Sequence, residues 1–132
     1  MPNNTFDVTP GNSPDTPPIG ELYGVILESR SPATLAEFYR EILGGAIETD
    51  ADDWVDLVLA SGLRLGFQHS PGHVAPRWPG SDGDIQAHLD IRVPSLAAAE
   101  ASLLAIGALQ LESHPGFRVY LDPAGHPFCT VL

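Results

Sequence analysis

One short segment of the chain carries three polar side chains that could do chemistry together. His88, Asp90 and Arg92 alternate with aliphatic residues, and this period of two places all three on one face of a strand. An imidazole, a carboxylate and a guanidinium on one face suit a ligand-binding surface or a cluster of ion pairs. The sequence leaves these interpretations open.

The single cysteine and a pair of histidines are further candidates. Cys129 lies in an apolar terminal segment, which is typical of a buried small side chain rather than a nucleophile. His69 and His73 have the spacing of a helical metal-binding pair, but Pro71 and Gly72 between them break a helix. We therefore predict a loop there. One cysteine also excludes an internal disulfide, and we expect a cytoplasmic protein.

The composition excludes several classes of function. The chain of 132 residues has six basic residues, all arginine, against 17 acidic ones, giving a formal charge of −11. Without lysine there is no Schiff-base chemistry and no lysine-containing phosphate loop. Nucleic acid and anionic membranes are disfavoured partners because binding to them depends on clustered cations. No apolar run approaches the ~20 residues of a membrane helix, and small molecules remain the expected partners.

The elements that must position these residues occur twice along the chain. A strand, a helix and three strands are predicted in each half from apolar periodicity and from capping and turn residues. The first set covers residues 22–27, 32–43, 46–49, 54–59 and 63–68, and the second covers 87–93, 96–106, 109–111, 117–121 and 128–132. Ser31 and Ser95 are the expected N-caps, and Gly44 and Gly107 the expected stops. The order predicts an α+β fold in which each sheet buries one face under a helix.

A fixed offset relates the two halves. Glu37 and Glu100 are 63 residues apart, and Gly44 and Gly107 have the same separation. Self-similarity at one offset indicates a duplicated module. We predict a single domain over residues 20–132, with one module at about 20–70 and the other at about 85–132.

Two segments lie outside the modules. Residues 1–19 are rich in proline and polar residues, and we predict a disordered or extended arm, with packing on a partner subunit as the alternative. Residues 71–84 are rich in proline and glycine and are predicted to form a linker. Trp78 in this linker is a candidate lid or dimer contact, although local packing is the default for such a residue.

The duplicated strand-helix-strand-strand-strand unit resembles the vicinal oxygen chelate superfamily, which includes glyoxalase I, extradiol dioxygenases and bleomycin-binding proteins. Two stretches carry this resemblance: Glu37-Phe38-Tyr39 leading to Leu43-Gly44, and Asp122-Pro123-Ala124-Gly125-His126 before the last strand. The resemblance implies two βαβββ modules that form cupped mixed sheets with helices outside. It also implies a homodimer.

Metal-dependent members place one ligand on the first and one on the last strand of each module. The matching places here are Gly24, Gly66 or Gln68, His88 and Cys129. Glycine offers no ligand, and two missing ligands out of four make a poor site for a divalent ion. We therefore expect no cofactor, with a divalent metal on His88, Gln68 and Cys129 as the alternative. The wider set of expected ligand-lining residues is Gln68, His88, Cys129, Asp90, Arg92, Glu28 and Trp78.

Three functions follow as hypotheses. The first is a protein that binds a small organic molecule in the cup without the full metal site. The second is a metal-dependent lyase, isomerase or dioxygenase of the glyoxalase-like kind, acting on a small oxygenated substrate. The third is a catalytically idle domain that serves protein contacts. The sequence does not identify the ligand, because one fold hosts many chemistries.

Overall fold

The computed structural model describes residues 16–77 and 87–132, and it contains the predicted element order twice. The first module consists of β1 (Gly24–Ser29), α1 (Pro32–Leu43), β2 (Ala46–Ala51), β3 (Trp54–Val58) and β4 (Arg64–His69). The second consists of β5 (Leu89–Arg92), α2 (Leu96–Ala105), β6 (Leu109–Ser113), β7 (Phe117–Leu121) and β8 (Pro127–Val131). The predicted α+β class and the duplication are confirmed.

Each module forms its own four-stranded mixed sheet. The strand orders are β1-β4-β3-β2 and β5-β8-β7-β6. In each sheet the first strand pairs in parallel with the last strand of its module, and the other neighbours are antiparallel. A parallel pair needs a long connection, and here it runs through the helix and two strands. Consequently β1 and β5 lie at the edges of their sheets.

The helix ends follow the predicted residues, with one difference in capping. The first helix ends at Gly44, whose φ of 73° suits glycine. Ser95 caps the second helix by accepting the Ala98 N–H at 3.2 Å. Ser31 occupies the expected cap position but makes no side-chain cap. Its hydroxyl donates to the Thr34 hydroxyl at 2.8 Å.

One aromatic cluster joins the two modules in a shared core. Tyr39 of α1 packs on Phe67 of β4 with ring centroids 5.9 Å apart, and on Phe128 of β8 at 6.2 Å. Phe38 also contacts Phe128, at 5.9 Å. All four rings are nearly or completely buried. Aromatic burial of this size contributes strongly to stability, so α1 links its own sheet to the sheet of the second module.

The other face of each sheet, away from the core, is called its cup face below. On β5, Ile91 lies in the core, so Asp90 and Arg92 lie on the cup face. On β8, Phe128 belongs to the core while Cys129 points the other way. The two cup faces therefore carry the polar residues that the sequence singled out.

Within the two described ranges, no helix is long and apolar enough to cross a membrane. Of the predicted arm, residues 1–15 lie outside the described residues, as do linker residues 78–84.

Candidate functional site

Three potential ligand groups converge on the cup face of the second module. Asp90 on β5 lies directly beside Cys129 on β8 in the parallel register, and His88 immediately precedes β5. Their ligand atoms all lie within 4.8 Å of one another, and His88 Nε2 is 3.2 Å from Asp90 Oδ1. Strand alternation and register thus bring together three of the residues predicted from sequence.

This group borders a cavity. It has a volume of about 340 Å³ and is lined by His88, Asp90, Gly116, Phe117, Cys129 and Val131. Apolar walls with a few convergent polar groups are typical of small-molecule sites, which usually exceed roughly 300 Å³. We call this space the cup cavity.

The thiol in the cup cavity is kept protonated. Burial raises the pKa of Cys129, and the carboxylates of Asp90 and Glu112 raise it further by disfavouring a thiolate. Because the thiolate is the nucleophile and the metal ligand, Cys129 is a weak nucleophile near neutral pH. A metal ion would have to displace its proton.

The cup face of the first module is closed at the matching place. Gly66 takes the place of Cys129, since both lie on the last strand of their module and pair with its first strand. A Cβ on Gly66 would lie 2.6 Å from Ile26 Cδ1 and 2.9 Å from Trp54 Cζ2. These two side chains therefore occupy the space that a ligating side chain would need.

Gly24, the residue matching His88, is also constrained by packing. A Cβ there would lie 2.6 Å from the backbone oxygen of Arg64 on the paired strand. A histidine at this place would require the backbones of β1 and β4 to move apart.

An ion-pair network lies on the first-module cup face. Arg64 contacts Glu48 at 3.1 Å and Asp56 at 3.5 Å, and its guanidinium lies 5.1 Å from the centre of the Tyr23 ring. The Trp54 indole donates to Asp56 at 2.8 Å. This arrangement fixes Trp54 in place.

The residues present do not fit the four-ligand metal site that the resemblance implies. Gly24 and Gly66 supply no donor, and the space beside Gly66 is already filled. Three donors remain on the second-module cup face, and one of these is the protonated thiol. Coordination by four side chains, two from each module, is therefore absent from this arrangement.

The other predicted site residues lie apart from this group. Gln68 and Glu28 are exposed and face each other across β4 and β1 of the first module, and neither lines the cup cavity. Arg92 is exposed at the end of β5, beside Val131. Trp78 lies outside the described residues.

The sequence interpretation missed a buried hydrogen-bonded group at the junction of the modules. The Tyr39 hydroxyl donates to Asp122 Oδ2 at 2.6 Å, and His126 Nδ1 lies 3.0 Å from the same oxygen. Burial, followed by the charge of Asp122, raises the pKa of Tyr39, so its phenol remains a donor. The signal in the sequence was an aspartate four residues before a histidine, in a segment that was used only for the family resemblance.

Comparisons with known proteins agree with this architecture. A family model described as a glyoxalase-like domain matches residues 24–131, whereas no curated protein matches the sequence. A glyoxalase family protein from Enterococcus faecalis is 23% identical over 86% of this chain and 98% of its own, with a TM-score of 0.64. A glyoxalase/bleomycin resistance protein/dioxygenase family enzyme from Burkholderia phytofirmans PsJN is 17% identical, covering 86% and 100% of the two chains at a TM-score of 0.65.

A glyoxalase/dioxygenase from Nostoc punctiforme is 16% identical over 97% of both chains, with a TM-score of 0.61. At these identities the similar structures establish the fold, whereas the family model spans most of the chain. The chain belongs to the glyoxalase-like domain family and thus to the vicinal oxygen chelate superfamily.

Proposed function

We propose that the protein binds a small organic molecule in the cup cavity of its second module, without the four-ligand metal site of metal-dependent relatives. The asymmetry between the modules carries this proposal. Trp54 and Ile26 close the first-module cup face over Gly66, whereas the matching region of the second module leaves a cavity of about 340 Å³.

The side chains around the cup cavity favour a neutral or cationic ligand. The carboxylate of Asp90 lies at the cavity, and the pKa of Cys129 is raised partly by the negative charge of Glu112. An anionic ligand would be repelled by these groups. The ring of Phe117 offers an apolar surface for the body of the ligand, and the imidazole of His88 offers a polar contact.

A matched pair of glycine variants tests this proposal. A Cβ added at Gly116 or at Gly72 meets no atom within 4 Å, and neither glycine has a positive φ. Only Gly116 lines the cup cavity. Gly116→Leu should therefore fill the cavity entrance while the fold is retained, and Gly72→Leu is its control.

Native mass spectrometry of untagged protein and thermal shifts against a panel of neutral and cationic aromatic molecules provide the measurements. We expect a ligand that co-purifies, or one from the panel, to stabilise both the wild type and Gly72→Leu. The affinity of the same ligand for Gly116→Leu should be more than tenfold lower. A panel without any stabilising molecule, or equal binding by both variants, would refute the proposal.

Metal-dependent chemistry of the lyase, isomerase or dioxygenase kind is the second candidate, and the three-donor group of His88, Asp90 and Cys129 favours it. Its test is the metal content of untagged protein. A near-stoichiometric divalent ion that His88→Ala removes would support this candidate and end the metal-free proposal. Protein without metal, and unable to take up Zn²⁺, would exclude it.

A further inference from the structure

A second cavity lies at the junction of the two modules, beside the edge strands β1 and β5. It has a volume of about 320 Å³, and its walls are mainly aliphatic, with Val25, Leu27, Leu89 and Pro127 among them. His88 is the one residue that it shares with the cup cavity. We call this space the junction cavity. Two polar side chains that are absent from the cup cavity, Tyr39 and His126, also line it.

A fixed carboxylate lies behind His126. The side chain of Asp122 is completely buried, and its Oδ1 accepts the backbone N–H groups of Ala124 and His126, both at 2.9 Å. Its Oδ2 accepts the Tyr39 hydroxyl at 2.6 Å. A buried carboxylate with this many donors is held in one orientation.

This carboxylate determines which ring nitrogen of His126 carries a proton. Nδ1 lies 3.2 Å and 3.0 Å from the two oxygens of Asp122. A carboxylate only accepts hydrogen bonds, so Nδ1 is the protonated nitrogen and Nε2 of the neutral ring keeps its lone pair. Among the residues that the structure describes, none is hydrogen-bonded to Nε2. The side chain is 15% exposed.

The side chain of His73 restrains the His126 ring further. The His73 ring lies 5.0 Å from the His126 ring, and His73 Nε2 is 3.0 Å from the carbonyl oxygen of Ala124 in the same turn. The His126 ring is thus held on one side by Asp122 and on another by His73. Because the ring is already held in place, little side-chain entropy is lost when a ligand in the cavity donates a hydrogen bond to it.

We infer that the junction cavity binds a small, largely apolar molecule with one hydroxyl donor, of the class of phenols, whose hydroxyl donates to Nε2 of His126. The aliphatic walls match an aromatic or aliphatic body, and a volume near 320 Å³ suits a ligand of one or two rings. A carboxylate ligand is disfavoured, because the charge of the buried Asp122 lies behind the ring. This inference is independent of ligand binding in the cup cavity.

Phenol and anisole form a matched pair of probes, since they share a ring and differ in the hydroxyl donor. Binding is followed by titrating the methyl signals of Leu27 and Leu89 in NMR spectra. We expect phenol to bind about threefold to tenfold more tightly than anisole, the range given by one net hydrogen bond. Equal affinities, or no response of these methyl groups at millimolar probe, would overturn the inference.

Two variants locate the effect. In His126→Asn the amide nitrogen replaces Nδ1 beside Asp122 while Nε2 is lost, so the preference for phenol should disappear with the fold retained. His69→Asn, at an exposed histidine outside both cavities, should keep the preference. A preference that survives in His126→Asn would contradict the role of His126.

Three measurements test this site separately from the cup cavity. Gly116→Leu should leave phenol binding unchanged, so failure of the cup proposal does not affect this test. Long-range ¹H–¹⁵N spectra of the wild type should show that Nδ1 of His126, which faces Asp122, carries the proton. A neutral ring protonated at Nε2 instead would overturn the inference without any variant. Loss of phenol binding as protein concentration rises would overturn the inference, because a second copy of the chain would then occupy the junction cavity.

Discussion

Replacing Tyr39 by phenylalanine tests the contact that joins the two modules. The ring of Tyr39 is completely buried and packs on Phe38, Phe67 and Phe128, and these contacts remain in Tyr39→Phe. The variant loses only the hydroxyl that donates to Asp122 at 2.6 Å. Hydrogen bonds to charged groups contribute about 1.5–3 kcal/mol, so we expect the free energy of unfolding to fall by about 2 kcal/mol.

Urea denaturation at neutral pH measures this loss. With an m value of about 2 kcal/mol/M, the midpoint should move down by roughly 1 M. Tyr23→Phe is the matched control, because Tyr23 is 72% exposed and its ring contact with Arg64 does not depend on the hydroxyl. Its stability should remain within about 0.5 kcal/mol of the wild type.

The pH dependence gives an independent measure of the same contact. Since burial and Asp122 raise the pKa of Tyr39, the folded chain keeps a proton that the unfolded chain releases near pH 10. Stability from this group is therefore complete below about pH 10 and falls at higher pH. Tyr39→Phe should show a shallower alkaline loss. A stability change below about 0.5 kcal/mol, with an unchanged alkaline slope, would refute a buried phenol–carboxylate bond.

Two further predictions concern the cup faces. Gly24→Ala should lower the free energy of unfolding by about 1–3 kcal/mol in urea titrations, because its Cβ would lie 2.6 Å from the Arg64 backbone oxygen; an unchanged stability would show that β1 and β4 move apart easily. Cys129 in EDTA-treated protein should react with iodoacetamide at pH 7.5 more than tenfold more slowly than free cysteine, since burial and nearby carboxylates raise its pKa. Its rate should increase only above the ordinary cysteine pKa of about 8.5, and rapid alkylation at pH 7.5 would show an accessible thiolate.

Much of the fold is predictable from sequence because its signals are local. The strict alternation around Ile91 involves only neighbouring residues. The 63-residue offset is visible because residues of the same type recur at that separation. The bounds of the strands are harder to predict, because they depend on pairing with strands that are distant in sequence. The first strand was predicted over residues 22–27 but spans Gly24–Ser29, since its bounds depend on pairing with β4, and Leu22 remains 75% exposed.

The candidate site was predictable only in part. Alternation predicts that His88 and Asp90 share a face, and the register of β5 and β8 brings Cys129 beside them. Gln68, by contrast, does not line the cup cavity. The bond from Tyr39 to Asp122 spans 83 residues of sequence. No local pattern indicates such a contact, because it depends on how α1 packs against the second sheet.

The two modules differ in what fills their cup faces. Register places Trp54 and Phe117 at corresponding positions on the third strands, opposite Gln68 and Val131 respectively. These partners are two residues along the last strand from Gly66 and Cys129. In the first module, glycine lets the tryptophan lie over the strand, and this filled space stabilises the domain while it removes one place of a four-ligand site. In the second module, the smaller phenylalanine and the cysteine leave a cavity. Duplication therefore allows one cup face to supply packing while the other remains available for a ligand.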